Sequence, residues 1–169
     1  MGGAGGKAGA GGMGGTGGAT GGHRYARLVA LSSIPGGPAW TSVAELQLLT
    51  TGNAPISRNG WQVTADSEEL ADENAAATLA IDGDSNTFWH SAWIRDGGEP
   101  GDELMPHELV IDLGAAVKII GFTYLPRQTG ENGRIANYEF YLSDNGTNWG
   151  TKVASGTFPA GAAIQQVTF

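Results

Sequence analysis

The sequence contains no cysteine. That excludes a disulfide framework, thiol catalysis and Cys-ligated zinc, but leaves the compartment open, since exported domains can also lack cysteine. It has no apolar run of the ~18 residues a membrane-spanning helix requires, and the opening MGGAGGK lacks the apolar stretch of a secretory signal. Basic residues are scarce: 9 Lys and Arg stand against 17 Asp and Glu, a net charge of -8. A chain of that sign is a poor partner for nucleic acid or an anionic membrane surface. Also missing are the nucleophile elbow, the phosphate-binding glycine loop, the HExxH zinc motif and a spaced Ser/His/Asp set. Glycoside hydrolysis needs two carboxylates at a set separation across a cleft, whereas the adjacent Asp102 and Glu103 read as part of an exposed loop. Catalysis is therefore not expected.

Glycine is abundant but unevenly placed, with 13 of the 29 lying in residues 1–22. That head offers almost no side chain to bury and reads as a flexible linker. Glycine there does not recur at every third position and proline is absent, which excludes a collagen repeat. A linker at the start suggests that something precedes it in a larger multidomain protein. Residues 23–169 are then one domain-sized unit.

In that unit the pattern is of short strands separated by Gly, Pro, Asn and Asp. Arg24–Leu31, Val43–Leu49, the run WQVTADS, Glu108–Gly114, Lys118–Pro126, Tyr138–Ser143 and Ala163–Phe169 read as strands. Only EELADENAAATLAI has room for a helical turn or two. Asn145-Gly146 marks a tight hairpin turn, which already accounts for the NGT glycosylation sequon at 145–147. An all-β sandwich or jelly roll is expected. Alternation assigns Phe88 and Trp89 to the core, places Trp40 and Trp149 in turns, with Trp149 packing the hairpin, and gives Trp61 to a strand start.

Several stretches together, RYARLVALSSIPGGPAWTSVAELQLL, ENAAATLAIDGDSNTFWHSAW, PHELVIDLG and YLPRQTGENGRIANYEFYLSDNGTNWG, resemble the discoidin (factor 5/8 type C) domain, most nearly carbohydrate-binding module family 32. The likeness implies a galactose-binding-domain-like β-sandwich, the discoidin jelly roll. In that family the segment resembling 23–49 closes the domain, after the body resembling 56–169. Here it comes first, so the order reads as a circular permutation, with TTGNAP joining the old ends. The other reading is a fragment spanning two repeats, completed within one chain or as a swapped dimer.

The resemblance implies a noncatalytic, lectin-like module that recognises terminal galactose or a related sugar on glycans, working outside the cell. His90 would bond a ring hydroxyl, Trp93 would stack on the sugar face, Glu73 would accept, Arg127 would donate as a fork, and Asn132 would do both. Each has a plain structural use too. Trp93 suits a loop anchor, His90 a loop cap, Glu73 the acidic SEELADE surface, Arg127 an ion pair and Asn132 a turn before Gly133. The same likeness implies a structural calcium ion on Asp82, Asp84 and Thr87 of IDGDSNT and on Glu45, with carbonyls near Leu79 and Ala44. A lone Glu in an apolar strand is costly unless paired or metal-bound, which independently singles out Glu45. The insertion 94–106 carries Ile94, Leu104 and Met105, which could rim the sugar site. A discoidin-type adhesion module that binds a protein or cell surface is the alternative function.

Overall fold

The computed structural model describes residues 21–34, 40–93 and 104–169. Among the described residues there are eleven strands: β1 (His23–Ala30), β2 (Ser42–Val43), β3 (Glu45–Thr50), β4 (Ala54–Pro55), β5 (Gln62–Ala65), β6 (Trp89–His90), β7 (His107–Val117), β8 (Gly121–Leu125), β9 (Asn137–Ser143), β10 (Ala154–Thr157) and β11 (Gln165–Thr168). One sheet runs β10-β9-β1-β7-β5, a second β11-β8-β3-β4, and β2 with β6 forms a small third pair. The pairings between these strands are antiparallel, and Ser42 of β2 also makes an isolated parallel bridge to Arg134. This is the expected all-β discoidin-type sandwich.

The alternation that suggested strands determines which side chains meet between the sheets. Ala26, Leu28 and Ala30 of β1 point inward with Leu109 and Ile111 of β7 and Phe140 of β9, against Leu46 and Leu48 of β3 and Phe122 of β8. Aromatic rings fill the centre: Phe122 stacks on Phe140 at 4.2 Å and Tyr138 on Phe158 at 4.1 Å. The opening segment is integral to this core, since β1 lies between β9 and β7 and β3 between β8 and β4.

Several boundaries differ from expectation. Lys118–Ile120 is a connection, not strand, because β7 extends to Val117 and β8 begins only at Gly121. The stretch 68–81 contains one 3₁₀ turn, Ala77–Ala80, within loop. β10 was not anticipated, for ASGT has no apolar alternation; its Gly156 lets the Tyr138 ring approach, with ring atoms 3.3 Å from where a Cβ would stand. Leu31, expected at a strand end, is 41% exposed. Of the linker expected over 1–22, all but Gly21 and Gly22 lies outside the described residues, as do Ile94, Asp102 and Glu103. Leu104 is exposed, while Met105 packs against the core and accepts a hydrogen bond from Thr41 Oγ1 at 3.4 Å. Met105 is not among the residues that line the cavity beside Trp93.

Candidate functional site

Three segments distant in sequence are joined at one end of the sandwich. β2 pairs with β6, so Ser42 lies opposite His90 and Val43 opposite Trp89. Ser91 N donates to Thr41 O at 2.9 Å, and Thr41 N to Ser91 Oγ at 3.0 Å. The loop after β8 closes the third side: Ser42 N donates to Gly133 O at 2.7 Å and Ser42 Oγ to Asn132 O at 2.8 Å. Gly133 has φ +77°, and a Cβ there would lie 2.7 Å from Ser42 N, so the approach requires glycine. Asn132 makes this contact through its backbone, and its side chain is exposed.

Around this junction lies a cavity of about 350 Å³ lined by Trp40, Glu73, His90, Trp93, Arg127 and Asn132. The five side chains singled out in the sequence all border it. Trp40 is the one that was missed. The sequence places it in a turn, and its position here depends on the β2–β6 pairing, which two-residue strands do not announce. The His90 and Trp93 rings meet edge to face at 4.6 Å and 87°, and Trp40 lies 6.0 Å from Trp93 and 5.9 Å from His90. The cavity thus has two indole walls around a buried imidazole.

His90 Nδ1 sits 2.7 Å from Ser91 O. A carbonyl only accepts, so Nδ1 carries the hydrogen and Nε2 is left as an acceptor. Burial, with the positive charge of Arg127 nearby, pushes the imidazole down to about 4. His90 is therefore neutral at physiological pH.

Arg127 provides the opposite chemistry. Its Nε donates to Thr129 O at 2.8 Å, and its guanidinium lies 4.0 Å over the Phe88 ring. The two terminal amino groups remain as a planar donor fork. Burial lowers its pKa while the Glu73 carboxylate opposes that shift. Phe88, assigned to the core from sequence, is instead half-buried beneath this guanidinium. Phe88 lies just before β6, and its ring meets that of His90 edge to face at 6.4 Å. Trp89 does enter the core, its indole donating to Ser67 O at 2.9 Å.

The acidic run before the site is not a solvated surface throughout. Glu69 is 1% exposed. Its Oε1 accepts from Ala71 N at 2.9 Å and Asp72 N at 3.1 Å, and its Oε2 from Trp93 N at 3.1 Å. It holds the Glu73 loop and the Trp93 backbone together. No local pattern distinguishes it from its neighbours Glu68 and Asp72.

The four residues expected to bind calcium lie elsewhere, where the 82–87 loop meets β3. Glu45 Oε1 accepts from Gly83 N at 2.7 Å, Thr87 Oγ1 donates to Asp82 Oδ2 at 2.8 Å, and Asp82 Oδ1 accepts from Asp84 N at 2.8 Å. Glu45 Oε2 is buried and accepts no aligned hydrogen bond, although Arg58 Nη1 lies 2.5 Å away in an ion pair. Burial raises the Glu45 pKa against the opposing pull of Arg58. No three His, Asp or Glu side chains converge among the described residues, so a cation here would take the rest of its ligands from Thr87 and backbone carbonyls. An oxygen-only donor set suits a hard cation, although Arg58 already pairs with the Glu45 oxygen that such an ion would take.

The sequence profile of the F5/8 type C domain matches residues 62–169. The chain belongs to the F5/8 type C, or discoidin, family. This discoidin domain is 43% identical over 115 residues to a galactose oxidase of Gibberella zeae, a match covering 68% of the chain and 16% of that protein. It is 38% identical over 146 residues to a sialidase of Micromonospora viridifaciens, covering 86% of the chain and 21% of the sialidase. A lacto-N-biosidase of Bifidobacterium bifidum is 34% identical over 127 residues, covering 69% and 11%. The chain thus spans about a fifth or less of these carbohydrate-active enzymes, in which the discoidin module is one part of a larger protein.

Proposed function

We propose that this discoidin domain is a noncatalytic carbohydrate-binding module that holds a terminal galactose-type sugar in the cavity bordered by Trp40 and Trp93. The observation that carries the reading is the meeting of two indoles, a neutral imidazole acceptor and an arginine fork around one open cavity. A pyranose has an apolar ring face and a belt of hydroxyls, and those groups complement it. Trp93 stacks on the ring face, His90 Nε2 accepts from a hydroxyl, Arg127 donates to adjacent hydroxyl oxygens, and Glu73 and Asn132 complete the polar rim. The relatives named for galactose, sialic acid and lacto-N-biose chemistry support a glycan as the target. An extracellular setting within a multidomain protein belongs to the same reading. A shallow single-sugar site gives a Kd on the order of millimolar, so targeting relies on multivalency.

The reading includes a structural calcium ion at the 82–87 loop, with Glu45, Asp82, Asp84 and Thr87 as the side chains that would draw in on it and fasten β3 to the loop.

A glycan array probed with the multivalent chain in calcium buffer tests the function. Binding to galactose-terminated glycans that disappears in Trp93→Ala supports it. A folded protein that binds no glycan, yet captures a protein after complete deglycosylation, replaces it with the adhesion reading.

A further inference from the structure

A second cavity, of about 260 Å³, lies at the opposite end of the larger sheet. His23 at the start of β1 borders it, whereas the far end of β1 leads to Ser33 and Ile34, which bond Ile135 and Arg134 beside the first cavity. About 23 Å of strand separates the two. Its walls include Trp149, Leu142, Val153, Asn148, His23 and Asp144.

This site is built, not incidental. Trp149 is fixed from behind by the Arg27 guanidinium, 4.5 Å from its ring, which also lies 4.8 Å from Tyr141 and pairs with Glu108 at 3.0 Å. Arg27 does not border the cavity, so the indole meets it with a part that Arg27 leaves uncovered. The loop carrying Asn148 is braced from within: Ser143 Oγ accepts from Gly146 N at 3.1 Å and donates to Asn148 O at 2.7 Å. Asn145 Oδ1 accepts from Thr147 N at 3.0 Å and Asn148 N at 2.9 Å. Asn148 spends only backbone groups on the turn, which leaves its amide for a ligand. His23 Nδ1 is 2.7 Å from Asp144 Oδ1, which orients the imidazole at the rim.

We propose that this cavity is a second saccharide site, taking one neutral pyranose against Trp149 with its hydroxyls on Asn148, His23 and Asp144. An indole beside apolar Leu142 and Val153 with a polar rim suits a hydroxylated ring. No Lys or Arg lines it, which disfavours sialic acid or a phosphate. Two sites facing opposite ways make one domain bivalent and able to bridge glycan chains.

The test is titration of the full chain carrying Trp93→Ala, which disables the first site, with galactose, N-acetylgalactosamine, glucose and mannose in turn, followed by ¹H–¹⁵N NMR. Saturable shifts of the Trp149 indole and the Gly150 and Thr151 amides, with a Kd on the order of 10 mM, are expected for at least one sugar. Asn148→Ala should weaken them at least about tenfold with the turn amides unmoved. Trp149→Ala should abolish them. Absence of saturable shifts at these positions with all four sugars at about 100 mM overturns the proposal. The wild-type chain read at Trp93 reports the first site separately.

Discussion

At the scale of single residues the imidazole of His90 is the most informative group. Its ordinary value near 6.5 falls to about 4 in the folded protein, chiefly because it is buried. The unfolded chain therefore holds the proton more tightly. Stability is full above the unfolded value and declines as pH falls from 6.5 towards 4, by about 3 kcal/mol over the window. Sugar binding that uses Nε2 as acceptor should be flat from neutral pH to about 5 and collapse only near 4. Urea midpoints and affinity measured across that range check both; a loss of binding centred on 6.5 would show that the ring is not desolvated. The motif containing His90 and Trp93 was legible in sequence because both lie in one short run. Trp40 and Glu69 were not, because each gains its role from a residue some 24 to 50 positions away: Trp93 N for Glu69, and for Trp40 the Thr41–Ser91 contact beside it. Trp40→Ala should lower affinity about tenfold, the worth of one lost stacking wall, while leaving the urea midpoint close to wild type because Trp40 is only half-buried.

At the scale of elements, the site is only as rigid as the loops that carry it. Glu69 fastens three amides, Ala71, Asp72 and Trp93. Glu69→Ala would leave three part-buried amides without their acceptor, a loss of about 1–3 kcal/mol in all, since Ala71 and Asp72 are exposed and their amides can turn to water. Binding should fall with stability, and amide exchange at residues 71–75 should speed up. Unchanged affinity in a destabilised variant would show that Trp93 is held by its ring contacts alone. The 82–87 loop has the matching test. Calcium at about a hundred times its Kd should add about 2.7 kcal/mol, a rise of several degrees in melting temperature. Glu45→Gln keeps an oxygen to accept from Gly83 N but removes the charge and should abolish the calcium response. Strands with clear alternation, such as β7 and β9, were readable from sequence. β2, β4 and β6 have two residues each, too few to show any period; β2 and β6 form only because each meets the other from a distant segment, and β4 because the turn at 51–53 folds it back on β3.

At the scale of the whole molecule, the order of the segments and the closeness of their ends bear on each other. His23 is paired with Val117, and Phe169 N donates to Ile120 O at 2.9 Å. Both ends of the folded domain therefore lie against the one short connection between β7 and β8. At Thr51–Asn53, Gly52 has φ +77° and the strands on either side pair as Thr50 with Ala54. That hairpin joins the segment resembling the family's close to the one resembling its start. If the fold depends on contacts and not on chain order, the break can be moved. A variant with residues 1–22 removed, Phe169 linked to His23 by a glycine-rich connector of about six residues, and new ends opened at Gly52 should fold to the same two sheets. Closing a loop that short costs little, so stability should stay within about 1–2 kcal/mol of the parent. Sugar affinity at the first cavity should be unchanged, since it lies at neither the cut nor the join, whereas His23 at the join borders the second cavity. Melting temperature, sedimentation and glycan binding of that variant decide the point. A monomer with parental binding shows that the opening segment is a movable part of one sandwich. A swapped dimer would show that β1 and β3 reach their places only when made first.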